Sequence, residues 1–94
     1  MERKNLLTNM MTDLEFDILD ELYFLQSFDY LMEQLAHDQK VIAATLSDLY
    51  RKGWIRCYSS PSDELACEDA DILKEYDKYH YLATKEGLLA HNGN

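Results

Sequence analysis

Proline occurs once in these 94 residues, at Pro61, and glycine three times, at Gly53, Gly87 and Gly93. So little of either excludes a low-complexity or collagen-like chain. Seven tyrosines and an apolar content of 47% argue against disorder. Cysteine is nearly as scarce. Cys57 and Cys67 are too few, and too oddly placed, for a disulfide framework or a zinc site. Their positions leave two readings open, a single bridge or two reduced thiols, and a reducing cytoplasm would favour the thiols. No uninterrupted apolar run exceeds four residues, as at Leu22-Tyr23-Phe24-Leu25, whereas a membrane-spanning helix needs roughly 20. The start does not read as a signal peptide either, because Thr8 and Asn9 break the apolar patch that follows the charged first residues. The expected compartment is the cytoplasm.

Positive charge is the other scarcity. Nine lysines and arginines face 18 acids, for a net charge of −9. The distribution says more than the total. Residues 1–37 carry −6, residues 63–78 carry −5, and residues 79–94 are neutral, so the +2 of residues 38–62 makes that stretch the one net-positive part of the chain.

What is present is a single domain's worth of amphipathic segments, spanning 1–94 with no internal repeat or linker. Residues 1–11 carry Leu6, Leu7, Met10 and Met11, which leave open a short helix, an N-terminal dimer arm or a frayed end. Thr12-Asp13-Leu14-Glu15 fits a capping box, with Met11 and Phe16 at the positions of a hydrophobic staple. The apolar spacing that follows predicts a helix from about 13 to 26. Ser27 offers a second N-cap, for a short helix to about Leu35, and Asp38 a third. The helix over 38–52 turns Val41, Ile42, Leu46, Leu49 and Tyr50 inward and ends in Arg51-Lys52-Gly53, two cations and then a glycine C-cap. Residues 54–59 and 79–83 read as paired strands. Thr84 then opens a short fourth helix. Between the strands, 60–78 is an acidic insert, long for a hairpin loop.

Three helices, a strand, a loop, a second strand and a helix is the order of a winged helix-turn-helix, an α+β fold with a three-helix core, a two-stranded β-wing and a short C-terminal helix. Particular residues carry the likeness further. Leu46-Ser47-Asp48-Leu49-Tyr50-Arg51-Lys52-Gly53-Trp54-Ile55 resembles the end of the recognition helix in MarR-like and PadR-like regulators. Tyr79-His80-Tyr81-Leu82-Ala83-Thr84-Lys85-Glu86-Gly87 is similar to their second wing strand and the helix start after it. Met11 to Leu19 matches their first helix. The resemblance covers roughly residues 11–91. It implies a small transcriptional regulator that binds double-stranded DNA as a homodimer, with 38–52 as recognition helix. The wing departs from the pattern: those wings are usually basic, and an acidic one cannot grip a phosphate backbone.

With Ile42, Leu46 and Leu49 in the core, the expected outer face of the recognition helix is Gln39, Lys40, Ala43, Ser47 and Arg51, with Lys52 and Arg56 adding backbone charge. The early turns of such a helix enter the major groove, where Gln39 suits an adenine edge and Lys40 a guanine or a phosphate. Against this stands the plain reading of a solvated helix face. Affinity for DNA rests on neutralised phosphates, and four cations against Asp38 and Asp48 are few, so a two-fold dimer is nearly required. The alternative is an adaptor of the same fold that binds a basic protein partner through its acidic faces. No catalytic group, metal site or cofactor site is expected. His37, His80 and His91 are scattered, the acids lack the spacing of a calcium loop, and the acidic polar face of the first helix argues against a membrane surface.

Overall fold

The computed structural model describes residues 11–93; of the segment 1–11 expected as an arm, all but Met11 lies outside them. The first helix, α1 (Asp13–Glu21), begins as its capping box requires. The Glu15 amide donates to Thr12 Oγ1 at 3.1 Å, and the Thr12 amide donates to Glu15 Oε1 at 2.9 Å. The helix ends five residues earlier than the apolar spacing predicts. The amide of Leu22 closes a tight last turn onto Leu19 O, and the Leu22 carbonyl accepts from the Ala83 amide at 2.9 Å. The chain is thereby drawn out of the helix and into a sheet. Gln26–Ser27 form a short strand, β1, that the sequence did not announce.

Ser27 then caps α2 (Phe28–Gln34) by accepting from the Tyr30 amide, and Asp38 caps α3 (Gln39–Lys52) by accepting from that of Lys40. Gly53 ends α3 at φ 79°, the left-handed conformation that glycine adopts at little cost. Strand β2 (Ile55–Tyr58) follows. Past the insert, β3 (His80–Ala83) pairs antiparallel with both other strands, Cys57 opposite Tyr81 on one side and Gln26 opposite Tyr81 on the other. The sheet is therefore three-stranded, in the order β1-β3-β2, rather than a two-stranded hairpin.

The insert is ordered. It contains a helical turn, α4 (Ile72–Glu75), continued by a 3-10 turn at Tyr76–Lys78. Ile72 reaches the core, and three tyrosines tether the backbone around it. Tyr50 of α3 donates to Cys67 O and accepts from the Ala70 amide, Tyr79 accepts from the Asp71 amide, and the wholly buried Tyr81 donates to Tyr76 O at 2.6 Å. Burial holds the Tyr81 hydroxyl far above the usual phenol range. Cys67 pairs with Cys57 as an isolated antiparallel bridge, which covers the free edge of β2.

The last helix, α5 (Lys85–Asn92), starts at Thr84, whose hydroxyl accepts from the Gly87 amide and donates to Gly53 O at 2.7 Å. One core results, built from Ile18, Leu19 and Leu22 of α1, Leu31 of α2, Ile42, Leu46 and Leu49 of α3, and Ile55, Cys57 and Tyr81 of the sheet. The domain is α+β, five helices around a small antiparallel sheet among the described residues. None of those helices is long and apolar enough to cross a membrane.

Candidate nucleic-acid interface

Helix α3 lies at the centre of the molecule, packed by α1, β2 and α4. Three neighbours bury a wider arc of it than Ile42, Leu46 and Leu49 alone would require, and this corrects the expected outer face at two positions. Ala43 is 3% exposed and Ser47 9%. They stand two turns and one turn before Tyr50 on one flank, the flank to which the Tyr50 hydroxyl bonds the insert. Their small side chains let that segment come close. Val41 moves the other way. Expected inward, it is 45% exposed.

The stripe left open consists of Gln39, Lys40, Val41, Ala44, Asp48, Arg51 and Lys52, with Thr45 half-buried at its margin. Its N-terminal half is the barest. Every residue from Ala36 to Val41 is exposed, so the turn between α2 and α3 and the first turn of α3 stand clear of the protein together. Of the open residues, Val41, Ala44, Thr45 and Asp48 were absent from the expected set. An error in helix phase of about 70°, roughly a fifth of a turn, set by where the buried arc is centred, accounts for all four.

The cations divide into two kinds. Lys52 is committed to the fold: its Nζ lies 2.7 Å from Glu15 Oε2 and 4.6 Å from the centroid of the Trp54 ring. Arg51 pairs with Asp48 one turn back, both side chains being more than half exposed, and also reaches Ser47 Oγ at 3.4 Å. An exposed pair of this kind is weak and can be exchanged for another anion. Lys40 and Arg56 are exposed and make no ion pair among the described residues. Lys40, Arg51 and Arg56 are thus free to meet phosphate, and Lys52 is not.

A second exposed surface belongs to α1 and α5. Phe16 stacks on the His91 ring at a centroid distance of 4.1 Å, and the Tyr23 hydroxyl meets His91 Nδ1 at 3.1 Å and Asn92 Oδ1 at 2.9 Å. In the neighbouring sequence, Phe24 after Tyr23 is 75% exposed and Leu89 of α5 is 61% exposed. No protein-family model, curated protein or solved structure matches the chain.

Proposed function

We propose that the protein is a winged helix-turn-helix that binds double-stranded DNA as a two-fold dimer, with α3 as its recognition helix. The observation that carries this reading is the bare stripe of α3. A helix whose first turns project from the protein, with small residues at Val41, Ala44 and Thr45 between Lys40 and Arg51, fits the width of a major groove. The order of elements supports it, α2 and α3 forming the helix pair and β1-β3-β2 the sheet that carries the wing. Gln39 reads a base edge, Lys40 meets a phosphate, and Arg51 exchanges Asp48 for another. Arg56 supplies charge from β2, in place of the acidic insert. The dimer forms through the aromatic face of α1 and α5, which doubles the number of cations on the duplex.

The test is a titration of labelled duplex DNA at rising salt. Six phosphate contacts in a dimer give a slope of log affinity against log salt of about −5. Lys40→Ala and Arg51→Ala each reduce its size by about 2. Absence of binding at low salt with micromolar protein overturns the reading.

A second reading rests on the insert, which presents Leu65 and Leu73 to solvent among Asp63, Glu64, Glu68 and Asp69. An apolar surface set among acids suits a basic amphipathic partner. A chain indifferent to duplex DNA that binds a lysine-rich helical peptide, and loses it on Leu65→Lys, acts in that way.

A further inference from the structure

We propose that Cys57 and Cys67 form a reversible disulfide that clasps the acidic insert to the outer edge of β2, made by exchange with an oxidised low-molecular-weight disulfide. The backbone supplies the geometry. The two residues face each other directly across an antiparallel bridge, with the Cys67 amide donating to Cys57 O at 2.7 Å. An opposed pair joined by that hydrogen bond holds its Cα atoms about 5.5 Å apart, with both side chains on one face of the ladder. Disulfides span Cα separations of about 4.4 to 6.8 Å. Burial agrees with the backbone. Cys57 is wholly enclosed, and Cys67 is half-buried against the same core.

The pair is also held in place before any bond forms. The Tyr50 hydroxyl grips the insert on both sides of the bridge, through Cys67 O at 3.0 Å and the Ala70 amide at 3.2 Å. The Cys67 sulfur lies 3.3 Å from Ser59 Oγ, at the surface. Cys67 is therefore within reach of a small reagent, and Cys57 is within reach of Cys67 alone.

The chemistry follows from that difference. The Cys67 thiolate attacks one sulfur of the small disulfide, breaking its S–S bond and releasing one thiol. The Cys57 thiolate then attacks the Cys67 sulfur of the mixed disulfide, and the second thiol leaves. Two protein thiols have lost two hydrogens, and one small disulfide has become two thiols. Burial, with the neighbouring Cys67 adding to it, pushes the Cys57 thiol up to about 12. The closing step is consequently the slow one, and it accelerates about tenfold per pH unit between neutrality and mild alkali. The clasp stands whether or not α3 meets DNA.

The experiment equilibrates the full chain with reduced and oxidised glutathione at graded ratios, traps free thiols by alkylation, and reads intact mass and linked peptides. The result expected is a monomer lighter by two hydrogens, with a peptide joining Cys57 to Cys67 and a midpoint of unfolding raised by about 10 °C. Cys67→Ser abolishes oxidation at both positions, and Cys57→Ser accumulates one glutathione on Cys67. Should Cys57→Ser fail to fold, the linked peptide of the unsubstituted chain carries the test. A stable glutathione adduct on Cys67 beside an unreacted Cys57 overturns the proposal, as does a disulfide between two chains.

Discussion

Lys52 Nζ lies 2.7 Å from Glu15 Oε2, so the last turn of α3 is tied to the first turn of α1. The other oxygen of Glu15 accepts from the Thr12 amide. One carboxylate thus serves the helix cap and the interhelical contact together, from a position only 4% exposed. A buried carboxylate that loses its cation costs more than an exposed pair contributes. Lys52→Met is expected to lower the free energy of unfolding by about 2 kcal/mol, against less than about 0.5 kcal/mol for Arg51→Met. Denaturant titrations of the two variants check this. Equal effects would mean that Lys52 is as free as Arg51.

Gly87 lies in the first turns of α5, where an exposed glycine to alanine change ordinarily stabilises a helix by up to about 1 kcal/mol. Here the sign is reversed. A Cβ at this position would come within 2.1 Å of the Trp54 carbonyl oxygen, a backbone atom already engaged by the Thr84 amide at 2.9 Å. Nothing flexible can give way. Gly87→Ala is expected to destabilise the domain by more than about 3 kcal/mol, read by thermal or denaturant unfolding.

Tyr50 bonds the insert at two backbone groups, and phenylalanine removes both bonds while keeping the ring. Tyr50→Phe should cost about 1 to 2 kcal/mol. The more telling readout is local. Amide exchange at residues 67–71 should quicken well beyond that of α1, because the insert loses its tether to α3 while the core stays whole. Exchange that quickens evenly along the chain would show that the insert and core open as one unit.

Much of the fold was legible because caps are local. Thr12 with Glu15, Ser27, Asp38, Gly53 and Thr84 each act over three or four residues, and each stands where its residue type predicts. The end of α1 was not legible. Leu22-Tyr23-Phe24-Leu25 continues a helical apolar pattern, and what ends the helix is a carbonyl taken by Ala83, 61 residues further on. The same distance effect misled the reading of α3. Its apolar residues located the buried arc, but the insert that widens this arc over Ala43 and Ser47 is held by tyrosine hydroxyls, which leave no periodic trace. Of the seven expected contact residues, Gln39, Lys40, Arg51, Lys52 and Arg56 remain at the surface, Lys52 paired with Glu15. Ala43 and Ser47 are buried by packing.

Stability should fall in alkali. The Cys57 thiol is pushed from 9.0 up to about 12 by burial, and the Tyr81 hydroxyl is raised from 10.0 by the same cause. Both groups hold their protons more tightly folded than unfolded, so their contribution is complete below pH 9 and lost as the pH climbs past it. Each removes up to about 1.4 kcal/mol per pH unit once its unfolded form is ionised. Cys57→Ala should therefore flatten the decline between pH 9 and pH 12 while leaving the acid limb unchanged. A decline of the same steepness in that variant would assign the effect to other groups.

The corrected face of α3 separates DNA contact from folding more sharply than any charge change. Ala44 is exposed in the middle of the open stripe, whereas Ser47, three residues on, is enclosed beneath the insert. A glutamate at position 44 has solvent to occupy, so Ala44→Glu should leave stability within about 0.5 kcal/mol of the parent. It nonetheless sets a carboxylate where the groove would be, beside Lys40 and Arg51, and should abolish binding of duplex DNA. Ser47→Glu forces a charge into a packed flank and should unfold the domain or expel the insert. Helix phase is thus read out twice, by unfolding and by titration. If Ala44→Glu binds DNA as the parent does while Lys40→Ala does not, the duplex meets the turn before α3 rather than its stripe.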